Sequence, residues 1–380
     1  MDEMNQTLTL ELNNIKKLDQ YSLCSTYFET MPDGWVNNGF IVNNGLHSPA
    51  YGEREVTAYW DVYSVLDAHT IRARIKIADI HSSFALFKKY AVQGGIAVVD
   101  CKNRVLNLYK SWTGSTLPEI VASSPVNVPI VADREYMVSY KKILGSMHEL
   151  TITDTVSGTS DSVSYLNSSH PFDDYAGKQW GAPGIMHLSG NIIVRKFEYV
   201  SAAPKDCKAL IYGDSITEGY GLDNNRGMYE DRWSARIRRA LKGNCAICGR
   251  GAGDSSDMLH RMKFDLARFN PQYVIILIGT NDTDILTWKS NIDAAISKIE
   301  SINAIPVLCV PPVGGMLVEQ IGAYLRSMNY TVVGMDYATS INNDGITQDA
   351  SLFSDALHPN TAGNLKMYNQ FLIDAPEVFE

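Results

Sequence analysis

No apolar run in this chain approaches the length needed to cross a bilayer, so a membrane-spanning helix is not expected. There is also no block of Lys and Arg, and the formal net charge is -9. Phosphate contacts need concentrated basic side chains, so nucleic acid is not an expected partner. The start, Met1-Asp2-Glu3-Met4-Asn5-Gln6, lacks the basic residues and apolar core of a secretory signal. The compartment is extracellular or periplasmic if a signal was removed, and cytoplasmic otherwise. Cysteine is sparse, six in 380 residues. Cys245 and Cys248 form a lone CxxC with no second Cys or His pair nearby, which argues against zinc, and their strand setting reads as two packed thiols. Cys309, inside the apolar run Pro306 to Val310, reads as a buried thiol. No metal and no cofactor is expected. There is no internal repeat, and nothing in the sequence indicates an oligomeric state.

The rest of the composition, 45% apolar and 20% charged, is that of an ordinary globular protein long enough for two domains with real cores. The chain changes character near Ala202-Ala203-Pro204-Lys205-Asp206. Before it, Thr70 to Ile77 alternates strictly, as do parts of Arg104 to Tyr109, Tyr136 to Tyr140 and His148 to Thr153, which reads as half-buried antiparallel strands. Gln93-Gly94-Gly95, Thr113-Gly114-Ser115 and Ser157-Gly158-Thr159 separate such runs as turns. Residues 1–203 are therefore expected to form an all-β sandwich of jelly-roll or lectin-like type, closed by a last strand from Asn191 to Val200. Trp35, Trp60, Trp112 and Trp180 could stack on sugar rings, but burial in the sandwich core is the preferred reading of each. Asn43-Asn44 and Asp173-Asp174 read as turn residues rather than calcium or sugar ligands.

After the boundary, strands and helices alternate. Ala209 to Gly213, Cys245 to Gly249, Tyr273 to Gly279, Pro306 to Val310 and Thr331 to Asp336 read as strands. Asp231 to Leu241, Ser255 to Phe269, Trp288 to Ile302, Val318 to Ser327 and Thr361 to Leu372 read as helices. That rhythm places residues 204–380 in the α/β class, with a doubly wound parallel sheet whose ligands sit at the carboxyl ends of the strands.

Polar tips on those strands carry the chemistry. Leu210 to Gly213 runs into Asp214-Ser215, and Gly213 permits a tight turn that would present the Ser215 hydroxyl to a cleft. A serine hydroxyl needs a base within hydrogen-bond reach, and the base needs a partner that fixes its tautomer. Asp355-Ala356-Leu357-His358-Pro359 supplies a carboxylate and an imidazole three residues apart. Of eight histidines only His260 and His358 follow the serine, and His260 lies in Met258 to Lys263, which reads as a solvated helix face. Asn281, at the tip of Tyr273 to Ile278, can donate from a neutral amide, and the glycine-rich Cys248 to Asp254 can expose a backbone N–H. Such donors suit an acyl-transfer oxyanion. Each tip taken singly also reads as an ordinary turn.

Together and in order, these tips resemble the SGNH hydrolases, also called the GDSL-like lipase/esterase superfamily, whose blocks centre on a Ser, a Gly, an Asn and a His. Gly213-Asp214-Ser215, Gly253 before Asp254, Gly279-Thr280-Asn281-Asp282, and Asp355 with His358-Pro359 match the four blocks. Gly249 and Gly251 lie close to the second match. The resemblance implies a flavodoxin-like sheet, Ser215 as nucleophile, and His358 and Asp355 as its triad partners. It implies an oxyanion hole from the Ser215 amide, the Gly253 amide and the Asn281 side chain. A β-sandwich joined to such a domain resembles carbohydrate esterases, so the expected substrate is an acylated, foremost acetylated, carbohydrate or another small ester. The alternatives are a lipid esterase or thioesterase of the same fold, and a non-enzymatic glycan-binding or structural protein with a vestigial hydrolase domain.

Overall fold

The computed structural model describes residues 22–32, 35–38, 40–48, 56–60, 69–89, 96–109, 119–143, 147–166, 182–201, 203–222 and 231–380. The start Met1 to Gln6, the turns Gln93-Gly94-Gly95 and Thr113-Gly114-Ser115, and Trp112, Trp180 and Asp173-Asp174 lie outside them, as does the Trp60 side chain.

Among the described residues fifteen strands come first: β1 (Ser22–Tyr27), β2 (Trp35–Asn38), β3 (Ile41–Val42), β4 (Leu46–His47), β5 (Val56–Trp60), β6 (His69–Ile77), β7 (Ser83–Lys89), β8 (Ile96–Asp100), β9 (Val105–Tyr109), β10 (Ile120–Pro125), β11 (Arg134–Ile143), β12 (Met147–Asp154), β13 (Ser160–Leu166), β14 (Ala182–Ser189) and β15 (Ile192–Ser201). They form two antiparallel sheets. One runs β13-β12-β11-β6-β15-β4-β3 with β1 also on β15, and the other runs β10-β9-β8-β7-β14-β5-β2. The alternation seen in the sequence of β6 becomes a strict burial alternation, with Ile71, Ala73, Ile75 and Ile77 buried and Arg72, Arg74 and Lys76 facing outward. Those inward residues join Val138 and Tyr140 of β11 and Phe84, Leu86, Val99, Leu106 and Ile185 of the second sheet in one buried cluster. That is a β-sandwich core. Trp35 packs edge-on against both Phe28 and Phe197, with ring centroids 5.0 Å from each.

The second architecture is a parallel sheet of β16 (Ala209–Gly213), β17 (Cys245–Gly249), β18 (Tyr273–Leu277), β19 (Ile305–Val310) and β20 (Thr331–Gly334), ordered β17-β16-β18-β19-β20. Every residue of β16, β17 and β18 is buried, because helices cover both faces. The helices are α1 (Ser215–Glu218), α2 (Trp233–Ala240), α3 (Ser255–Phe269), α4 (Ile285–Glu300), α5 (Val318–Arg326), α6 (Met335–Ala338) and α7 (Thr361–Asp374). On one face Leu210, Tyr212, Val274 and Ile276 meet Met262 and Leu266 of α3, Ile292 and Ile296 of α4, and Ile321 of α5. On the other, Ala209, Ile211, Ile275 and Leu277 meet Trp233 and Ile237 of α2 and Met367 and Phe371 of α7. Each fully buried Ile, Leu or Val contributes about 1.5–3 kcal/mol. This is the doubly wound, flavodoxin-like order, whose crevice lies outside the carboxyl ends of the strands.

Cys245 and Cys248 sit in β17 on opposite faces of the sheet, one in each of these clusters, so no disulfide joins them. Burial pushes both thiols well above the ordinary value. Helix α4 begins three residues before Trp288, because the Asp284 carboxylate caps it by accepting from the Leu286 and Thr287 amides. The stretch around His260 is not a wholly solvated face. His260 is exposed, but Arg261 is buried, its guanidinium donating to Asp257 and to the Cys248 carbonyl, both at 3.0 Å. Pairing at i−4 and a strand-end carbonyl let the cation tolerate burial.

Candidate active site

Strand β16 hands the chain directly to α1, and the hinge is Gly213. A Cβ there would come 1.9 Å from Thr217 Oγ1 and 2.8 Å from the Leu277 carbonyl, so only glycine fits between the turn and β18. Asp214 caps the new helix by accepting from the Ile216 amide at 2.9 Å. Ser215 is therefore its first residue, with its hydroxyl at the carboxyl edge of the sheet. Burial pushes the Asp214 carboxyl up to about 7 against the pull of the Ile216 amide, and neighbouring Asp282 adds to the rise.

From the other end of the domain, the loop between β20 and α7 returns to the same edge. The Asp355 carboxylate accepts from the Leu357 amide at 2.8 Å and the His358 amide at 2.7 Å, which folds the loop around it. The same carboxylate accepts from His358 Nδ1 at 2.8 Å through Oδ2 and 3.1 Å through Oδ1. An acceptor on Nδ1 keeps the proton there and turns the Nε2 lone pair outward. The Ser215 hydroxyl donates to it at 3.0 Å. Partial burial works to raise the Asp355 carboxyl, but the His358 and Leu357 bonds outweigh it and hold it below the usual carboxylate range. Tyr220 covers the imidazole, ring centroids 4.1 Å apart and planes at 57°. Asn360 then caps α7 by accepting from the Gly363 amide at 3.0 Å.

Gly253 and Asn281 also meet: the Asn281 side-chain amide donates to the Gly253 carbonyl at 2.9 Å. The second Asn281 N–H has no acceptor among the described residues. The Gly253 amide donates to the Arg250 carbonyl at 2.9 Å, closing a turn, so it is not a free donor in this arrangement. The Ser215 amide makes no hydrogen bond among the described residues. Among the described residues no hydrogen bond joins Gly253 or Asn281 to Ser215. They share its edge through the in-register pairing of Gly213 with Gly249 and Leu277, and through the Arg250 amide donating to the Gly213 carbonyl at 3.0 Å.

Supporting groups escaped the sequence reading. Glu218, one helical turn after Ser215, accepts from the Gly251 amide at 2.6 Å and so ties α1 to the glycine loop. Asp282 accepts from the Ser255 amide at 3.1 Å and from its hydroxyl, fixing the residue after Asn281 to the start of α3. Gln348 donates to the Val313 carbonyl at 3.0 Å and the Ala356 carbonyl at 3.1 Å, bracing the His358 loop. The signal for Glu218 was its position beside Ser215; nothing local marks Gln348. Among the described residues no cluster of three or more His, Cys, Asp or Glu is placed to hold a metal, and no helix is long and apolar enough to cross a membrane.

Residues 211–366 match the model of the GDSL-like Lipase/Acylhydrolase family. Over 120 residues the chain is 29% identical to the uncharacterized lipoprotein YqeF of Bacillus subtilis; the match takes in 28% of this chain and 49% of that protein, so the chain spans about half the length of this curated relative. Among solved structures, it is similar to a catalytic mutant of Axe2, an acetylxylan esterase from Geobacillus stearothermophilus, at 18% identity over 45% of this chain and 94% of the other, with a TM-score of 0.37. It is also similar to a carbohydrate-binding module, CBM66, from Bacillus subtilis, at 16% identity over 44% of this chain and 96% of the other, with a TM-score of 0.33. The match to the GDSL-like lipase/acylhydrolase family model thus falls in the C-terminal part of the chain, on the parallel-sheet domain that carries Ser215 and His358.

Proposed function

We propose that the protein is a serine esterase that removes acyl groups, acetyl foremost, from carbohydrate or small esters through an acyl-enzyme. The observation that carries this reading is the contact series Asp355 to His358 at 2.8 Å and His358 to Ser215 at 3.0 Å. In that arrangement His358 Nε2 takes the Ser215 proton as Oγ attacks the ester carbonyl, and Asp355 stabilises the imidazolium that forms. The tetrahedral oxyanion is held by the Ser215 amide and the free N–H of Asn281. The Gly253 amide joins them on exchanging its Arg250 carbonyl for the oxyanion. Collapse expels the alcohol, which takes the proton from His358. Water then repeats the sequence on the acyl-Ser215 ester and regenerates the hydroxyl.

The proposed division of labour places this chemistry in residues 204–380 and leaves the sandwich, residues 1–203, to act on the substrate's carbohydrate portion. The test is hydrolysis of p-nitrophenyl acetate by the full chain. Wild-type protein is expected to turn the ester over, and Ser215→Ala to lower the rate at least about a thousandfold. A wild-type rate equal to that of buffer would favour a non-enzymatic binding protein. Palmitoyl esters or acyl thioesters turned over in preference to acetyl esters would favour the lipid esterase or thioesterase alternatives.

A further inference from the structure

The sandwich carries an irregularity in strand β15. Strand β15 has β6 along one side, but its other side is shared: β4 pairs with Ile193 and Val194, and β1 pairs from Lys196 to Val200. The register against β6 slips at the same point, Val194 facing Ile75 and Lys196 facing Arg74. Arg195 is thus an extra residue with no ladder partner on either flank. A β-bulge of this kind re-aims one side chain and disrupts the ladder locally.

What Arg195 reaches is a recess of about 340 Å³, lined with it by Tyr27, Glu29, Asn44, Arg74 and Glu135. Its wall is fixed by the β3–β4 turn. Gly45 takes φ +142°, a Cβ there would come 2.8 Å from Ile193 Cγ2, and its amide donates to the Phe28 carbonyl at 2.6 Å. The Arg195 guanidinium also donates to the Asn44 carbonyl. Across the floor, Glu135 lies between two guanidiniums, 3.5 Å from Arg74 Nε and 3.9 Å from Arg195 Nε. Those separations exceed hydrogen-bond length, so the forks and the carboxylate keep donors and acceptors for a ligand. A surface ion pair alone does not account for the rim, where Tyr27 is 61% exposed.

We propose that this recess binds a neutral saccharide. Vicinal hydroxyls match it, accepting from the Arg74 and Arg195 forks while donating to Glu135, and a sugar's CH face can lie on the face of Tyr27 opposite Lys196, whose Nζ stands 5.2 Å from the ring centroid. Two arginines against Glu29 and Glu135 leave the recess without net formal charge, so charge does not select the ligand. The volume is at the small end of the ~300–1,000 Å³ typical of ligand sites, room for about one or two sugar rings. The proposal does not depend on Ser215 chemistry, so either reading can fail alone.

The test is affinity gel electrophoresis of the full chain as Ser215→Ala, so that any acyl groups stay on the polymer, through gels holding xylan, glucomannan or polygalacturonate. At least one neutral polymer is expected to retard the protein. On that background Arg195→Ala, Arg195→Lys and Tyr27→Ala should each weaken retardation about tenfold or more. Arg195→Ala made in the wild-type chain should leave p-nitrophenyl acetate hydrolysis unchanged. Thermal unfolding checks each variant, and should Arg195→Ala fail to fold, the exposed Tyr27→Ala carries the comparison. No retardation by a neutral polymer, or equal retardation of the folded variants, overturns the proposal. So does binding to polygalacturonate alone that vanishes at about 0.5 M salt, where charges are screened within a few ångström.

Discussion

Acidification should move the two halves of the chain in opposite directions. His148, in the sandwich, is fully buried with Tyr140 Oη 3.1 Å from its Nδ1. Burial, with Lys142 adding to it, pulls its pKa from 6.5 down to about 3. Between those values the unfolded chain binds a proton that the folded chain refuses, so the contribution is present above 6.5 and lost as pH falls, by about 1.4 kcal/mol per unit. Asp214, beside Ser215, has the opposite sign. Its folded pKa is raised from 3.8 to about 7, so its stabilisation is present below 3.8 and lost as pH rises to 7. From pH 5 to 7 the sandwich should gain about 2 kcal/mol from His148 and the hydrolase domain lose about 2 kcal/mol from Asp214. Hydrogen exchange read by peptide mass, corrected for intrinsic rate, resolves residues 134–154 from residues 209–218. Opening energies there should shift in opposite senses. His148→Asn should abolish the first shift and Asp214→Asn the second. Wild-type and variant slopes that agree within about 0.5 kcal/mol would refute the burial argument.

The reaction centre adds two expectations. Asn281→Ala should lower kcat by about 100- to 1,000-fold with little change in KM, because in the proposed mechanism its second N–H stabilises charge that exists only in the transition state; steady-state kinetics giving an unchanged kcat would remove Asn281 from the proposed oxyanion hole. Glu218→Ala removes the acceptor of the Gly251 amide, a charge-assisted bond of about 1.5 kcal/mol or more, and should cost about tenfold in kcat/KM, with Glu218→Gln recovering part of it. Equal rates for all three proteins would mean that the glycine loop holds its shape without Glu218.

Much of this was readable locally, and the exceptions share one physical cause. The apolar strands that lead to Ser215, Gly253 and Asn281 could be placed because parallel strands buried on both faces leave continuous apolar runs. The Asp355–His358 loop was readable because its hydrogen bonds join residues two and three apart. Glu218 with Gly251 and Gln348 with Val313 are contacts 33 and 35 residues apart, which no local pattern encodes. Arg261 misled because a charged residue signals solvent only when no partner waits inside, and Asp257 with the Cys248 carbonyl waited there. The bulge at Arg195 lies between these cases. Strict alternation along Ile192 to Ser201 would place every second residue outward, and Arg195-Lys196 puts two cations in succession. A strand buried on one face can accommodate that pair only by slipping its register, since otherwise one of the two charges would enter the core. The break in alternation is therefore a sequence signal of the bulge, and the recess follows from it because a slipped register leaves a side chain free of its ladder to face a ligand.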